Sequence, residues 1–179
     1  MDKAQHVMLD IETMGTGNFA VIASIGAVKF DPYGDKIDDG FYATVDMDSC
    51  AKLGMRFDGG TIAFWLKQPD EARKALLDHT QDIRNVLEGL RDWFGPPSKP
   101  VWGNGATFDN VIVRNAFMLA GMDCPWSYKH DWCYRTLKNL APTDVKPEDF
   151  GVAHHALDDA TAQALHLQKI VRSLGLIFQ

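Results

Sequence analysis

Residues 154–159 read His154-His155-Ala156-Leu157-Asp158-Asp159. Downstream, Ala160, Ala164, Leu167, Val171 and Leu174 recur at steps of four, three, four and three, the period of a helix buried along one side. Asp159 therefore falls in the first turn or so of an amphipathic helix, and His154 in the loop that feeds it. A carboxylate fixed on a helix and an imidazole on the adjacent loop can enter one cleft, the first as a metal ligand and the second as a general base. Taken alone, the stretch is explained more simply by two acids drawn to a helix N-terminus by its dipole. Two other stretches change that weighting.

The first is His6-Val7-Met8-Leu9-Asp10-Ile11-Glu12-Thr13, read as a short buried strand with acids at its end. Side chains two apart on a strand share a face, so Asp10 and Glu12 project together. Two adjacent carboxylates repel, and their burial is costly unless a cation neutralises them. Met14 to Gly17 is then a turn. The second stretch follows a short strand, Val101-Trp102-Gly103, and runs Asn104-Gly105-Ala106-Thr107-Phe108-Asp109. Thr107 is a candidate N-cap for a helix to about Ala120, with Phe108, Ile112, Ala116 and Leu119 as its buried stripe. Asp109 becomes another carboxylate at a helix start just past a strand.

Between these stretches, residues 20–30 read as a long strand and Phe41 to Val45 as its antiparallel hairpin partner. Residues 46–60 are polar and read as a loop. Thr61 is a plausible N-cap for a short helix through Lys67. Pro69-Asp70-Glu71 places Pro in the first turn of another helix. A further helix begins near Thr80, with Ile83, Val86, Leu87, Leu90 and Phe94 as its apolar stripe. Gly95 to Pro100 is a break too short for a domain linker. Asp131 to Tyr134 is expected to be the last strand, and residues 141–151 the loop that delivers His154. Strands alternating with helices after an initial hairpin imply an α/β domain with a mixed central sheet flanked by helices. Asp10, Glu12, Asp109 and Asp159 all lie at strand ends or helix starts, where such folds place their sites.

The 179 residues suit one domain, 1–179, with a substantial core. A net charge of -6 argues against coating long duplexes through many phosphate contacts. It is compatible with an acidic metal site that grips a short end. Three cysteines, Cys50, Cys124 and Cys133, fit neither a zinc site nor a disulfide framework. Reduced thiols and a cytoplasmic setting are the expectation, with no signal peptide or membrane span.

In order and spacing, Asp10-Ile11-Glu12-Thr13, Asn104 through Phe108-Asp109, and His154 to Asp159 resemble the three motifs of the DEDD exonuclease superfamily in its histidine-containing (DEDDh) branch. Each motif is weak alone, and the ordered set is specific. The wording around Trp102-Gly103-Asn104-Gly105 and Trp132-Cys133-Tyr134-Arg135-Thr136 is similar to RNase T-like 3′–5′ exonucleases of phages, prophages and some bacteria. The step of five from His154 selects Asp159 over Asp158.

The resemblance implies an RNase H-like fold and a hydrolase acting on single-stranded 3′ ends of RNA or DNA, with RNA slightly favoured. It implies two Mg²⁺ or Mn²⁺ ions held by Asp10, Glu12, Asp109 and Asp159, with His154 as general base. Thr13, Met14, Asn104 and Phe108 are candidate substrate contacts, Met14 and Phe108 by stacking against bases; core packing is an equal reading of Phe108. Trp65, Trp102, Trp126 and Trp132 are read as core. Arg135 and Lys138 are read as solvated charge, with phosphate contact the sharper alternative. A homodimer is suggested by the resemblance alone. The rival readings are a catalytically silent nucleic-acid-binding module and an aspartyl phosphatase, the latter disfavoured by Glu12 where a second Asp is needed.

Overall fold

The structure, a computed structural model, describes residues 5–148, 150–152 and 154–178. Its centre is β1 (His6–Thr13). Val7, Met8, Leu9 and Ile11 are all at most 5% exposed, because this strand is covered on both faces and so reads as a nearly continuous apolar run. Antiparallel to it lies β2 (Ile22–Phe30), and antiparallel to that β3 (Ile37–Thr44). On the other side, β4 (Val101–Gly103) and β5 (Asp131–Cys133) run parallel to β1. The sheet order is β3-β2-β1-β4-β5, the mixed sheet expected from the sequence.

Period-two alternation divides the core in two. Val7, Leu9 and Ile11 face a layer containing α4 (Ile83–Phe94) and α5 (Asp109–Ala120). Met8, Val28 and Phe30 face α7 (Ala156–Leu174), meeting Ala160, Ala164, Leu167, Ile170 and Val171. Each large aliphatic side chain buried there contributes on the order of 2 kcal/mol. Asp10 and Glu12 share the alternation of Met8, so they leave β1 on the side that α7 covers. That helix begins near their end of the strand, and Asp159 is in its first turn. The close approach depends on Gly26, which pairs with Asp10 across β1 and β2. A Cβ at Gly26 would stand 2.2 Å from the Ala156 carbonyl carbon and the Leu157 nitrogen.

Several boundaries differ from the sequence reading. Residues 46–60 hold α1 (Met47–Lys52), capped by the Asp46 carboxylate, and the start of α2 (Gly59–Trp65). Thr61 is not the cap of α2: Asp58 is, its Oδ1 accepting the Thr61 N–H at 3.0 Å. Pro69 is itself the N-cap position of α3 (Asp70–Ala75), and α4 starts at Ile83, capped by Asp82, rather than near Thr80. Thr107 is exposed and caps nothing. The turn before α5 closes instead through the backbone, from the Phe108 N–H to the Gly105 carbonyl at 2.7 Å.

Helix α5 buries Phe117 and Ala120, leaving Leu119 and Phe108 only partly covered. Strand β3 starts four residues earlier than expected, at Ile37 rather than Phe41. Tyr134 opens a helix, α6 (Tyr134–Leu140), instead of ending the last strand. Its hydroxyl reaches His166 Nδ1 at 2.6 Å inside the core, a contact made across the fold that local sequence does not carry. At the far end of α7, Leu174 is 38% exposed and leaves the stripe. Among the described residues no helix is long and apolar enough to cross a membrane.

Candidate active site

Asp10, Glu12, Asp109, His154 and Asp159 all line one cleft of about 530 Å³. It opens where β1 and β4 end and where α5 and α7 begin. Glu12, His154 and Asp159 each bring a donor atom to within 4.8 Å of the other two, a spacing that one cation can bridge. It admits His154 as a ligand as well as a base.

The acids are crowded. Burial pushes the Glu12 carboxyl up to about 8, and repulsion from Asp159 and Asp109 adds to it. Burial also drives Asp10 well above the ordinary carboxylate range, reinforced by Asp109 and Glu12 and relieved by a hydrogen bond from Gln163. Asp109, 4% exposed, is raised by burial to about 7, although backbone N–H groups and the Arg135 charge pull it back. Asp159 is raised by burial too, and partly offset by the His154 N–H and imidazole. Carboxylates so placed are costly when ionised without a counter-charge. A cluster of hard oxygen donors short of positive charge fits divalent cations of the Mg²⁺ or Mn²⁺ kind.

Backbone geometry aims each group. His154 has φ +64°, a left-handed conformation that costs a non-glycine residue about 1–3 kcal/mol. Its own N–H donates to Asp159 Oδ2 at 3.2 Å, which offsets part of that cost. Its ring meets Phe64 and Trp65 edge to face, with centroids 5.5 and 5.9 Å away. Trp65 is fixed in turn by its indole N–H, which donates to the Thr13 carbonyl at 2.9 Å. The neighbouring pair does different work. His155 stacks on Tyr42 at 4.2 Å and caps α7 through the Asp158 N–H. Asp158 Oδ2 accepts the Val152 N–H at 2.8 Å. The motif is thus two nested pairs, with His154 and Asp159 in the cleft and His155 and Asp158 holding the loop to the helix. Beside β4, Gly103 lets α5 close in: a Cβ there would lie 2.3 Å from Asn110 Oδ1 and 3.1 Å from Asp109 Cβ.

The candidate substrate contacts divide. Asn104 and Phe108 line the cleft, and Phe108 also packs against the core. Thr13 is 6% exposed, and its hydroxyl is turned away into a bond to the Gly15 carbonyl at 2.7 Å. Met14, 8% exposed, lines a separate apolar hollow with Met47, Ile62, Trp65 and Leu76. Trp65, Trp102 and Trp126 are core, each at most 5% exposed, while Trp132 is half-buried.

Two cleft features escape the sequence reading, and a third residue, Arg135, is read there only as solvated charge or a phosphate contact. Gln163 Nε2 donates to Asp10 Oδ1 at 2.8 Å; its step of four from Asp159 on one helix face was the available signal. Phe64 and Trp65 brace His154, and only the fold brings α2 to that loop. Arg135 lines the cleft and donates to the Asn104 carbonyl.

The model of the 3′–5′ exoribonuclease Rv2179c-like domain matches residues 5–171. An exodeoxyribonuclease of Enterobacteria phage T4 is 26% identical over 121 residues, covering 59% of this chain and 52% of the phage enzyme. The chain therefore spans about half the length of that relative. Among solved structures, the nuclease domain of 3′hExo, a DEDDh family member bound to rAMP, superposes with TM-score 0.63 at 14% identity, covering 96% of this chain and 94% of that one. E. coli Exonuclease I in a complex with single-stranded DNA gives TM-score 0.65 at 19% identity, covering 97% of this chain and 41% of that one. The fold is the RNase H-like fold of the DEDD exonucleases.

Proposed function

Because the chain belongs to the 3′–5′ exoribonuclease Rv2179c-like domain family, we propose that residues 1–179 form a single exonuclease domain that removes nucleotides from the 3′ end of single-stranded nucleic acid. The observation that carries this reading is the convergence of Asp10, Glu12, Asp109, His154 and Asp159 on one cleft. Water is added across the terminal phosphodiester: its oxygen bonds to phosphorus, the bond to the 3′-oxygen breaks, and a nucleoside 5′-monophosphate leaves.

Asp10, Glu12, Asp109 and Asp159 would hold two divalent cations, Mg²⁺ or Mn²⁺. Such ions supply Lewis acidity and charge neutralisation at the scissile phosphate. His154 accepts the proton of the attacking water, a general-base role that imidazoles commonly fill. The Asp159 carboxylate and the T-shaped contacts with Phe64 and Trp65 fix where that imidazole stands. Gln163 holds Asp10 in one orientation. Phe108 offers a ring to the terminal base.

RNA is the favoured substrate on the family description. The likeness to a phage exodeoxyribonuclease supports DNA as the second reading. The deciding experiment is a denaturing-gel time course on matched 5′-labelled RNA and DNA single strands, with Mg²⁺, Mn²⁺ or EDTA. A metal-dependent ladder shortening from the 3′ end, lost in Asp159→Asn, is the expected result. Folded, metal-supplied protein that shortens neither strand would overturn the proposal.

A further inference from the structure

Resting on that exonuclease reading, we propose that Arg135 anchors the incoming strand by gripping one of its backbone phosphates. The cleft has a charge problem. Its described lining carries the carboxylates of Asp10, Glu12, Asp109 and Asp159, and Arg135 is its only guanidinium or ammonium group. Each nucleotide of a strand brings a negative charge, so the phosphates that flank the reacting one need a cation of their own. Lys138, three residues further along α6, is not part of this lining.

The fold delivers Arg135 to this place. Strand β5 runs parallel to β4, with Cys133 opposite Gly103. The chain that leaves β5 therefore passes beside the turn that leaves β4. Gly105 in that turn has φ +116°, and a Cβ there would lie 3.3, 3.3 and 3.4 Å from Arg135 Cζ, Nη2 and Nη1. Three nearly equal distances mean that the guanidinium plane lies flat over the glycine. Its donors then radiate from the edge of the plane. A guanidinium has five N–H donors in a fixed fork. One bond, from Nη2, goes to the Asn104 carbonyl and fixes the rotation of the plane. Arg135 is exposed overall, so donors remain accessible at the cleft. A planar fork held by its face, pinned at one corner and open at its edge matches a phosphate's paired oxygens.

The rival role is that Arg135 only braces the Asn104–Phe108 turn. The test separates the two by binding. A short 5′-labelled single strand is titrated in Ca²⁺ at several salt concentrations, against the wild-type protein, Arg135→Gln and Arg135→Lys. Arg135→Gln is expected to weaken binding severalfold. It should also reduce the slope of log affinity against log salt by about 0.7, the share of one phosphate on a single strand. Arg135→Lys should keep that slope and recover part of the affinity.

A neutral methylphosphonate is then walked through the linkages near the 3′ end. At one linkage it should weaken wild-type binding severalfold and leave Arg135→Gln binding unchanged. Equal effects of the neutral linkages on both proteins, with an unaltered salt slope, would overturn the proposal, whatever happens to turnover or melting temperature. Arg135-dependent binding without any strand shortening in Mg²⁺ or Mn²⁺ would support the anchor while removing the exonuclease reading. Absence of strand binding by the wild-type protein would remove both.

Discussion

The backbone N–H of His154 donates to Oδ2 of Asp159 at 3.2 Å, so the proposed base and a proposed metal ligand are tied by main chain rather than by ring. The imidazole nitrogens are thereby left for chemistry. His154→Ala should keep this bond, since alanine retains the N–H. We expect it to lower turnover by about 10²–10⁴-fold, the usual worth of general acid–base catalysis. Mn²⁺ binding, read by calorimetry, should survive within a few fold. Loss of Mn²⁺ binding in His154→Ala would make the imidazole a ligand instead.

Gln163 is the only side chain seen donating to Asp10 among the described residues. Gln163→Ala should loosen Asp10 and weaken metal affinity by about 10–100-fold, as loss of an outer-sphere partner does. Gln163→Glu should be worse, because it adds a further acid to a site already short of positive charge. A metal titration followed by melting temperature, with single-turnover rates at saturating metal, reads both effects. Unchanged affinity in both variants would mean that Asp10 is held by other means.

Gly26→Ala puts a methyl group 2.2 Å from the main chain at the start of α7. Main chain cannot swing aside as a side chain can, so the helix must move off the sheet. We expect a loss of about 1–3 kcal/mol of stability from overpacking, measured by urea unfolding. Activity should fall beyond the loss of folded protein, since Asp159 travels with the helix. Full activity in the folded fraction would show that the register of α7 over Asp10 is not critical.

The metal-free protein should gain stability as pH falls. Glu12 is raised from 4.5 to about 8 and Asp109 from 3.8 to about 7. A carboxyl raised on folding contributes stability that is fully present below its unfolded pKa and lost as pH climbs through its folded one. In EDTA the melting temperature should therefore decline between about pH 5 and pH 8, and Glu12→Gln should flatten the decline. Mg²⁺ or Mn²⁺ should raise the melting temperature most at the alkaline end. A flat profile in EDTA would remove the electrostatic argument for a cation site.

How much was legible in sequence follows from how local each feature is. The strand carrying Asp10 and Glu12, the helix carrying Asp159 and the apolar stripe of α4 all announce themselves by period. The sharing of one side by Met8, Asp10 and Glu12 follows from strand geometry, and the structure agrees. The short helices α1 and α6 did not show, because they have only six and seven residues, too few for a 3.6-residue pattern. Thr61 and Thr107 are good cap residues that lost to Asp58 and to a backbone turn. Met14, beside the acids, reads from sequence as a stacking wedge, but the register shift between Glu12 and Thr13 breaks the alternation and Met14 packs with Val7, Leu9 and Ile11 on the other, apolar side. Trp65 was read as plain core. It is core, yet its ring also meets that of His154 at a steep angle, a contact between segments 89 positions apart in the numbering.

The nested pairs at 154–159 act as a gauge. The inner pair, His155 with Asp158, closes over one turn of helix and fixes where α7 starts, while the outer pair spans the same turn from just outside it. A residue inserted between them would break the cap before it misplaced the ligand. Misspaced versions of this segment would therefore lose stability at the helix start, about 0.5–2 kcal/mol for the cap, together with the placement of the ligand.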